Sequence, residues 1–225
     1  MTLFDLFLRG GFVMWLILGC SILALYLIVR HAIKISKARV DGSKFVLQIR
    51  SILSKGDISS AMTMCSQSST PLSSILRAGL LKIQYPHQDV KDAVESTAKQ
   101  EIYKLERGLG LLGSIAGIAP LLGFLGTVTG MISAFRVIEV NEGVVNPQLL
   151  AGGIWEALLT TAFGLMVGIP AYFMYNYFVN GINHFVSETE QSCNDFLDIA
   201  QSEQRRMAAA RKAQQAKAAA SGGNA

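Results

Sequence analysis

The sequence predicts an all-α integral membrane protein with three transmembrane helices, two of them long and extending into a cytoplasmic helical domain. Hydrophobic residues are 51% of the chain and charged residues 16%, well under the roughly 25% charged of an average globular protein. The apolar residues are bunched into three runs, 11–29, 109–136 and 149–178. Each run is close to or beyond the roughly 20 residues that a membrane-spanning helix needs. Stripes of helical period also run out of the second and third spans into charged sequence.

The distribution of charge sets the expected orientation. Residues 30–108 hold 13 Lys/Arg against 7 Asp/Glu, whereas 137–148 hold no Lys or Arg and include Glu139 and Glu142. Cytoplasmic loops carry the excess of basic residues. This places 30–108 and the tail 179–225 in the cytoplasm, and the N-terminus 1–10 and the 137–148 loop on the periplasmic side. The basic residues are interleaved with acids and lack an aromatic stacking platform, which argues against nucleic acid. Cys20, Cys65 and Cys193 are scattered and odd in number, a pattern that fits neither a disulfide framework nor a metal site.

Taken in order, residues 1–10 could open a signal peptide. The run that follows is too long for a signal core and no small-x-small cleavage site succeeds it, so it reads as an uncleaved anchor. Arg30, His31 and Lys34 hold its inner end. Short amphipathic helices follow: Lys44–Leu53 capped by Ser43, Ile58–Cys65 capped by Asp57, and Pro71 through Ile83, ended by Tyr85-Pro86. All are too short to stand alone and need a longer partner. That partner starts near Asp89, where Val94, Ala98, Ile102, Leu105, Leu109 and Leu112 mark one face. Residues 89 to about 136 read as a single helix of roughly 70 Å at 1.5 Å per residue. The third run continues likewise through Ile182, Phe185, Thr189, Cys193, Phe196, Ala200 and Met207, then ends in an Ala/Gln/Lys-rich stretch and a disordered terminus.

The third span carries one carboxylate, Glu156. A charge near the middle of a bilayer costs about 2.5 to 3.5 kcal/mol on insertion scales, so such a residue marks a functional site by default. Gly153, Thr160, Thr161 and Gly164 lie on largely the same side. The second span offers Gly113, Gly117, Gly123, Gly126 and Gly130 as a small-residue face for close helix packing, with Thr127 on that face. Counted from the outer helix ends, Glu156 and Thr127 fall at one depth, about 10 Å in. Pro120 and Pro170 each remove a backbone hydrogen bond and predict kinks. The run Gly108-Leu-Gly-Leu-Leu-Gly113 matches a dinucleotide fingerprint, but no strand precedes it. Nor do His31, His87 and His184 suggest a metal or catalytic cluster, so enzyme chemistry is not expected.

Two segments, Pro120-Leu-Leu-Gly-Phe-Leu-Gly-Thr-Val-Thr-Gly130 and Gly153-Ile-Trp-Glu-Ala-Leu-Leu-Thr-Thr-Ala-Phe-Gly-Leu165 with Ile169-Pro-Ala171, resemble the MotA/TolQ/ExbB proton-channel family, its ExbB and TolQ branches above all. The resemblance covers most of the chain. It implies a homopentamer in a Gram-negative inner membrane, surrounding a single-span partner dimer similar to ExbD or TolR, whose aspartate carries the proton. It further implies coupling to a TonB-like or TolA-like protein, and protons as the coupling ion with no other cofactor. On that likeness Glu156, Thr127, Thr161 and Thr160 line the proton pathway. Trp155 is bulkier than the small residue usual beside the family's glutamate. From the residues alone, a non-conducting scaffold of packed glycine-rich helices remains open.

Overall fold

The computed structural model describes residues 11–38, 42–68, 70–140 and 147–222, all helix apart from short turns. In chain order the helices are α1 (Gly11–Ala38), α2 (Gly42–Leu53), α3 (Ile58–Gln67), α4 (Pro71–Leu81), α5 (His87–Glu106), α6 (Leu109–Val140) and α7 (Pro147–Gly222). The expectations for residues 1–10, for 141–146 of the outer loop and for 223–225 lie outside the described residues. Three helical stretches, Gly11–Ser36, His87–Val140 and Leu150–Arg206, are long and apolar enough to cross a membrane.

The second of these is not one helix. Glu106 ends α5 and Leu109 starts α6, with Arg107 and Gly108 in a turn between them. Gly108 has φ +99°, which a right-handed helix cannot contain and which a residue with a Cβ rarely adopts. The sequence reading saw Gly108 only as part of a glycine pattern inside a continuous stripe. Periodicity survives a two-residue turn, so the stripe did not register the break. Other boundaries moved as well, with α3 running to Gln67 and not Cys65, α4 ending at Leu81 and not Ile83, and α5 starting at His87 and not Asp89. α2 begins at Gly42, leaving Ser43 inside the helix and not before it. The backbone of α7 stays helical through Ser221 and Gly222, beyond the point where the terminus was expected to lose structure.

The chain divides into two compact units, Met1–Ile33 with Glu106–Asn180, and Lys34–Leu105 with Gly181–Ala225. In the second, the short helices bury their apolar faces around one core. Ile49, Leu53, Ala61, Cys65, Ile75, Leu76, Leu80, Val90 and Val94 gather with Cys193, Phe196 and Ala200 of α7. Gly79 is where α4 passes closest, since an added Cβ would overlap the Phe196 ring and reach 2.8 Å from Val94. The caps are specific. Asp57 accepts from the Ser60 backbone N–H at 2.9 Å, Thr70 and Ser73 form a reciprocal capping box ahead of Pro71, and the Gln204 amide donates to the Ile83 and Tyr85 carbonyls at 2.9 and 2.7 Å. The Asp57 carboxylate, held by the Ser60 hydroxyl and N–H and by Ser59, sits below its ordinary pKa.

In the first unit α6 is apolar on nearly every face, as expected of a helix solvated by hydrocarbon. Phe12, Ile22, Leu25, Leu121, Phe124, Leu158, Met166, Ile169 and Phe173 point outward. That surface would be an aggregation liability in water and is ordinary in lipid.

Burial in the second unit fixes the chemistry of two thiols. It pushes Cys65 up to about 11 and Cys193 up to about 12, the latter also raised by Glu190. Both are therefore expected to resist iodoacetamide at pH 8 in the folded protein and to react promptly in denaturant, read by mass spectrometry. The folded state holds these protons while an unfolded thiol releases its own near pH 9. Their contribution to stability is thus complete below pH 9 and declines from there towards pH 12. A thermal midpoint of the second unit unaffected between pH 8 and 11 would contradict this.

Candidate functional site

Helices gain little hydrophobic drive from meeting inside lipid, so close approach depends on small side chains. α6 and α7 meet along such a seam, and it runs antiparallel. A Cβ added to Gly130 would stand 3.0 Å from the Ala157 Cβ, and one on Gly123 2.9 Å from the Thr160 carbonyl oxygen. On the α7 side, an added Cβ would stand 2.7 Å from the Ala134 Cβ at Gly153, 2.7 Å from the Ala119 carbonyl oxygen at Gly164, and 2.5 Å from the Pro120 ring at Gly168. Gly126 leaves no room at all, because the Thr160 side chain fills its Cβ position.

The seam threonines bond across it. Thr161 Oγ1 donates to the Gly123 carbonyl on α6 at 3.0 Å. Thr160 is 1% exposed, its hydroxyl 2.8 Å from the Ala157 carbonyl and within 3.5 Å of that of Gly123. Thr127 donates to the Phe124 carbonyl at 2.5 Å.

α7 also runs parallel to α1 in this unit. Towards the carboxyl end of α1, His31 is fully buried and its ring lies 5.9 Å from that of Phe178. His31 Nδ1 lies 2.8 Å from the Leu27 carbonyl oxygen, which only accepts, so Nδ1 carries a hydrogen and donates it. Nε2 has no protein partner, and the Gly108 turn packs against it, an added Cβ there standing 3.4 Å from Cε1. Midway, Ile17, Ser21 and Ala24 of α1 and Phe163, Val167 and Pro170 of α7 line a cavity of about 340 Å³. At the amino end of α1 the Glu156 carboxyl group reaches Gly11, the first residue of that helix.

Glu156 is half-buried, and one residue along from Ala157 means about 100° around the helix. It therefore stands on the flank of the seam, towards α1. The register also corrects the matched depth. Gly130 faces Ala157 and Gly126 faces Thr160, so Thr127 is level with Thr160, about 5 Å along the axis from Glu156. Counting from helix ends misplaced it because α6 continues past 136 to Val140.

Gly117 is exposed, with open space where its Cβ would be, so the 113–117 glycine pair is not a helix-packing motif within the chain. Gly113 instead accommodates the Tyr175 ring at 3.0 Å. The sequence reading missed Gly168, although its spacing from Gly164 was the available signal. It missed Gly11 and the buried His31 as well, since neither position has a pattern of its own. Both prolines sit inside continuous helices.

Residues 67–191 match the sequence model of the MotA/TolQ/ExbB proton channel family. The chain belongs to that family. The MotA/TolQ/ExbB match takes in all of α6 and the membrane part of α7, hence the seam and Glu156. Among curated relatives, a putative biopolymer transport protein ExbB homolog of Methanothermobacter thermautotrophicus is 31% identical over 191 residues, 84% of this chain and 67% of its own. Putative biopolymer transport protein ExbB-like 1 of Synechocystis is 33% identical over 181 residues, 79% of this chain and 71% of its own. The biopolymer transport protein ExbB of Neisseria meningitidis serogroup A is 28% identical over 206 residues, covering 85% and 90%. The protein is thus a multi-pass membrane protein of the ExbB/TolQ type.

The seam makes a sharp contrast among glycines. Gly123→Leu and Gly126→Val force overlap with α7 and are expected to cost about 1 to 3 kcal/mol each. Gly117→Ala and Gly152→Ala meet nothing within the chain and should leave stability unchanged. Thermal unfolding in detergent separates the two groups, and equal midpoints for Gly126→Val and Gly117→Ala would rule out the seam.

Proposed function

We propose that this chain is the proton-channel and motor subunit of an energy-transducing complex in a Gram-negative inner membrane, with its N-terminus periplasmic and its C-terminus cytoplasmic. The observation that carries the reading is Glu156, the one carboxylate of the third span, half-buried beside a small-residue seam in a chain of a proton-channel family. Several copies, five on the family likeness, surround an ExbD- or TolR-like single-span partner whose membrane aspartate carries protons past Glu156 and the Thr127, Thr160 and Thr161 hydroxyls. Each charge that crosses 100 mV supplies about 2.3 kcal/mol. The partner passes that work on to a TonB-like protein serving outer-membrane transport. The relatives bear ExbB names, which favours this role over a Tol-Pal one.

Two parts of the seam have separate duties on this reading. The Thr160 and Thr161 hydroxyls are engaged with carbonyls, so they fix the helix pair and present their oxygens as a polar wall. Glu156 makes no such bond to α6 and is left to meet the partner's charge.

Glu156→Gln keeps the size and hydrogen-bonding capacity of the side chain and removes its ionisation. With the partner co-reconstituted in liposomes under an imposed potential, it is expected to lower proton uptake about tenfold, equivalent to about 1.4 kcal/mol. Thr127→Val should lower it less. If both variants conduct as the parent does while Gly126→Val abolishes assembly, the chain is a scaffold and not a channel subunit.

A further inference from the structure

Gly11 and Glu156 stand in a relation that no other described glycine shares. Three described glycines have positive φ, namely Gly11 at +64°, Gly56 at +78° and Gly108 at +99°. Gly56 has nothing within 4 Å of its Cβ position, and Gly108 has only ordinary contacts with His31 and Leu27. At Gly11 the site of the missing Cβ is taken by Glu156 Oε1, with Cδ 3.6 Å away. The pathway carboxyl group therefore lies directly on the backbone of α1, in space that any residue but glycine would fill.

The position has a second consequence. A φ of +64° does not belong to a right-handed helix, so the regular part of α1 begins here. The Glu156 carboxyl group lies against backbone at this turn, and a Cβ at position 11 would push the end of that side chain aside. Neither Gly11 nor α1 falls within the residues matched by the family.

We infer that Gly11 is a positioning residue for proton transfer, seating the Glu156 carboxyl group against the amino end of α1 and so setting where that group meets the partner's charge. This rests on the reading of Glu156 as part of the proton path. The first span is thereby a contributor to the path geometry through its backbone, without offering a polar side chain. An added methyl at position 11 displaces the carboxyl group. Shortening the acid by one methylene withdraws it from Gly11 and removes the conflict.

The test is a mutant cycle on the full complex with its single-span partner in liposomes, read as proton uptake under an imposed potential. Gly11→Ala is expected to reduce uptake about fivefold with Glu156 intact, and by less than about twofold in the Glu156→Asp background, because the cycle isolates the pairwise term. The strain of alanine at φ +64° is present in both backgrounds and cancels. Gly19→Ala, whose Cβ meets nothing within 4 Å, is the control and should conduct as the parent does. Uptake is normalised to assembled complex by size-exclusion chromatography, so that lost assembly is not counted as lost conduction. An equal fold-loss in both backgrounds, or no loss from Gly11→Ala while Glu156→Gln still abolishes uptake, overturns the positioning role alone. If Glu156→Gln conducts normally, the pathway reading falls and takes this inference with it.

Discussion

The approach of α6 to α7 is the constraint on which the membrane part depends. Lipid offers no hydrophobic reward for bringing two apolar helices together, so contact has to come from dispersion at short range and from hydrogen bonds that have no competing water. The glycines at 123, 126, 130, 153, 164 and 168 allow backbone to meet backbone, and the Thr161 hydroxyl crosses to the Gly123 carbonyl where they do. With these two helices fixed, the side chains between and beside them inherit a defined register. Thr160 has no freedom left, Thr127 is set at its level, and Glu156 is turned off the seam.

That turn is what separates the acid from the packing. Had the carboxylate been placed one residue later, at Ala157, it would have faced Gly130 in a space too small for it, and the helices would have parted. On the flank it retains partial exposure while its carboxyl group rests against the start of α1. A charged group in the bilayer has to be compensated or kept neutral, and off the seam the acid is free of the volume limit that packing sets at Ala157. The other end of the α1–α7 contact holds a polar group of its own. His31 ties one ring nitrogen to its own helix and buries the other against the Gly108 turn without a protein partner.

Most of the architecture was legible because the bilayer imposes a coarse code. Run length gave the three spans, and period gave the extension of the second and third into polar sequence. The cap Asp57 and the opening Pro71 marked α3 and α4, while the Thr70–Ser73 capping box was not read. What escaped was whatever depends on a single residue's backbone angle or on register between helices. Gly108 interrupts a stripe without disturbing its phase. The pairing of Gly130 with Ala157 and not a neighbour is decided by shape, and the depth of Thr127 follows from that pairing. Among the candidate site residues, the small face at 123, 126, 130, 153 and 164 could be read from composition. The partner of Glu156 could not, since Gly11 is one glycine in an apolar N-terminal sequence and nothing local distinguishes it.

The seam also bears on how this protein tolerates change. Each of its rungs joins a residue with no side chain, or almost none, to one of modest size: Gly126 with Thr160, Gly130 with Ala157, Ala134 with Gly153. Neither member is irreplaceable by itself. What the helix spacing fixes is the combined volume of the two, so an enlargement on one strand of the ladder is admissible when its opposite number shrinks by as much. The unit of heredity at this interface is therefore the pair, and a drift in sequence that looks permissive at every single position would still be tightly correlated across the membrane.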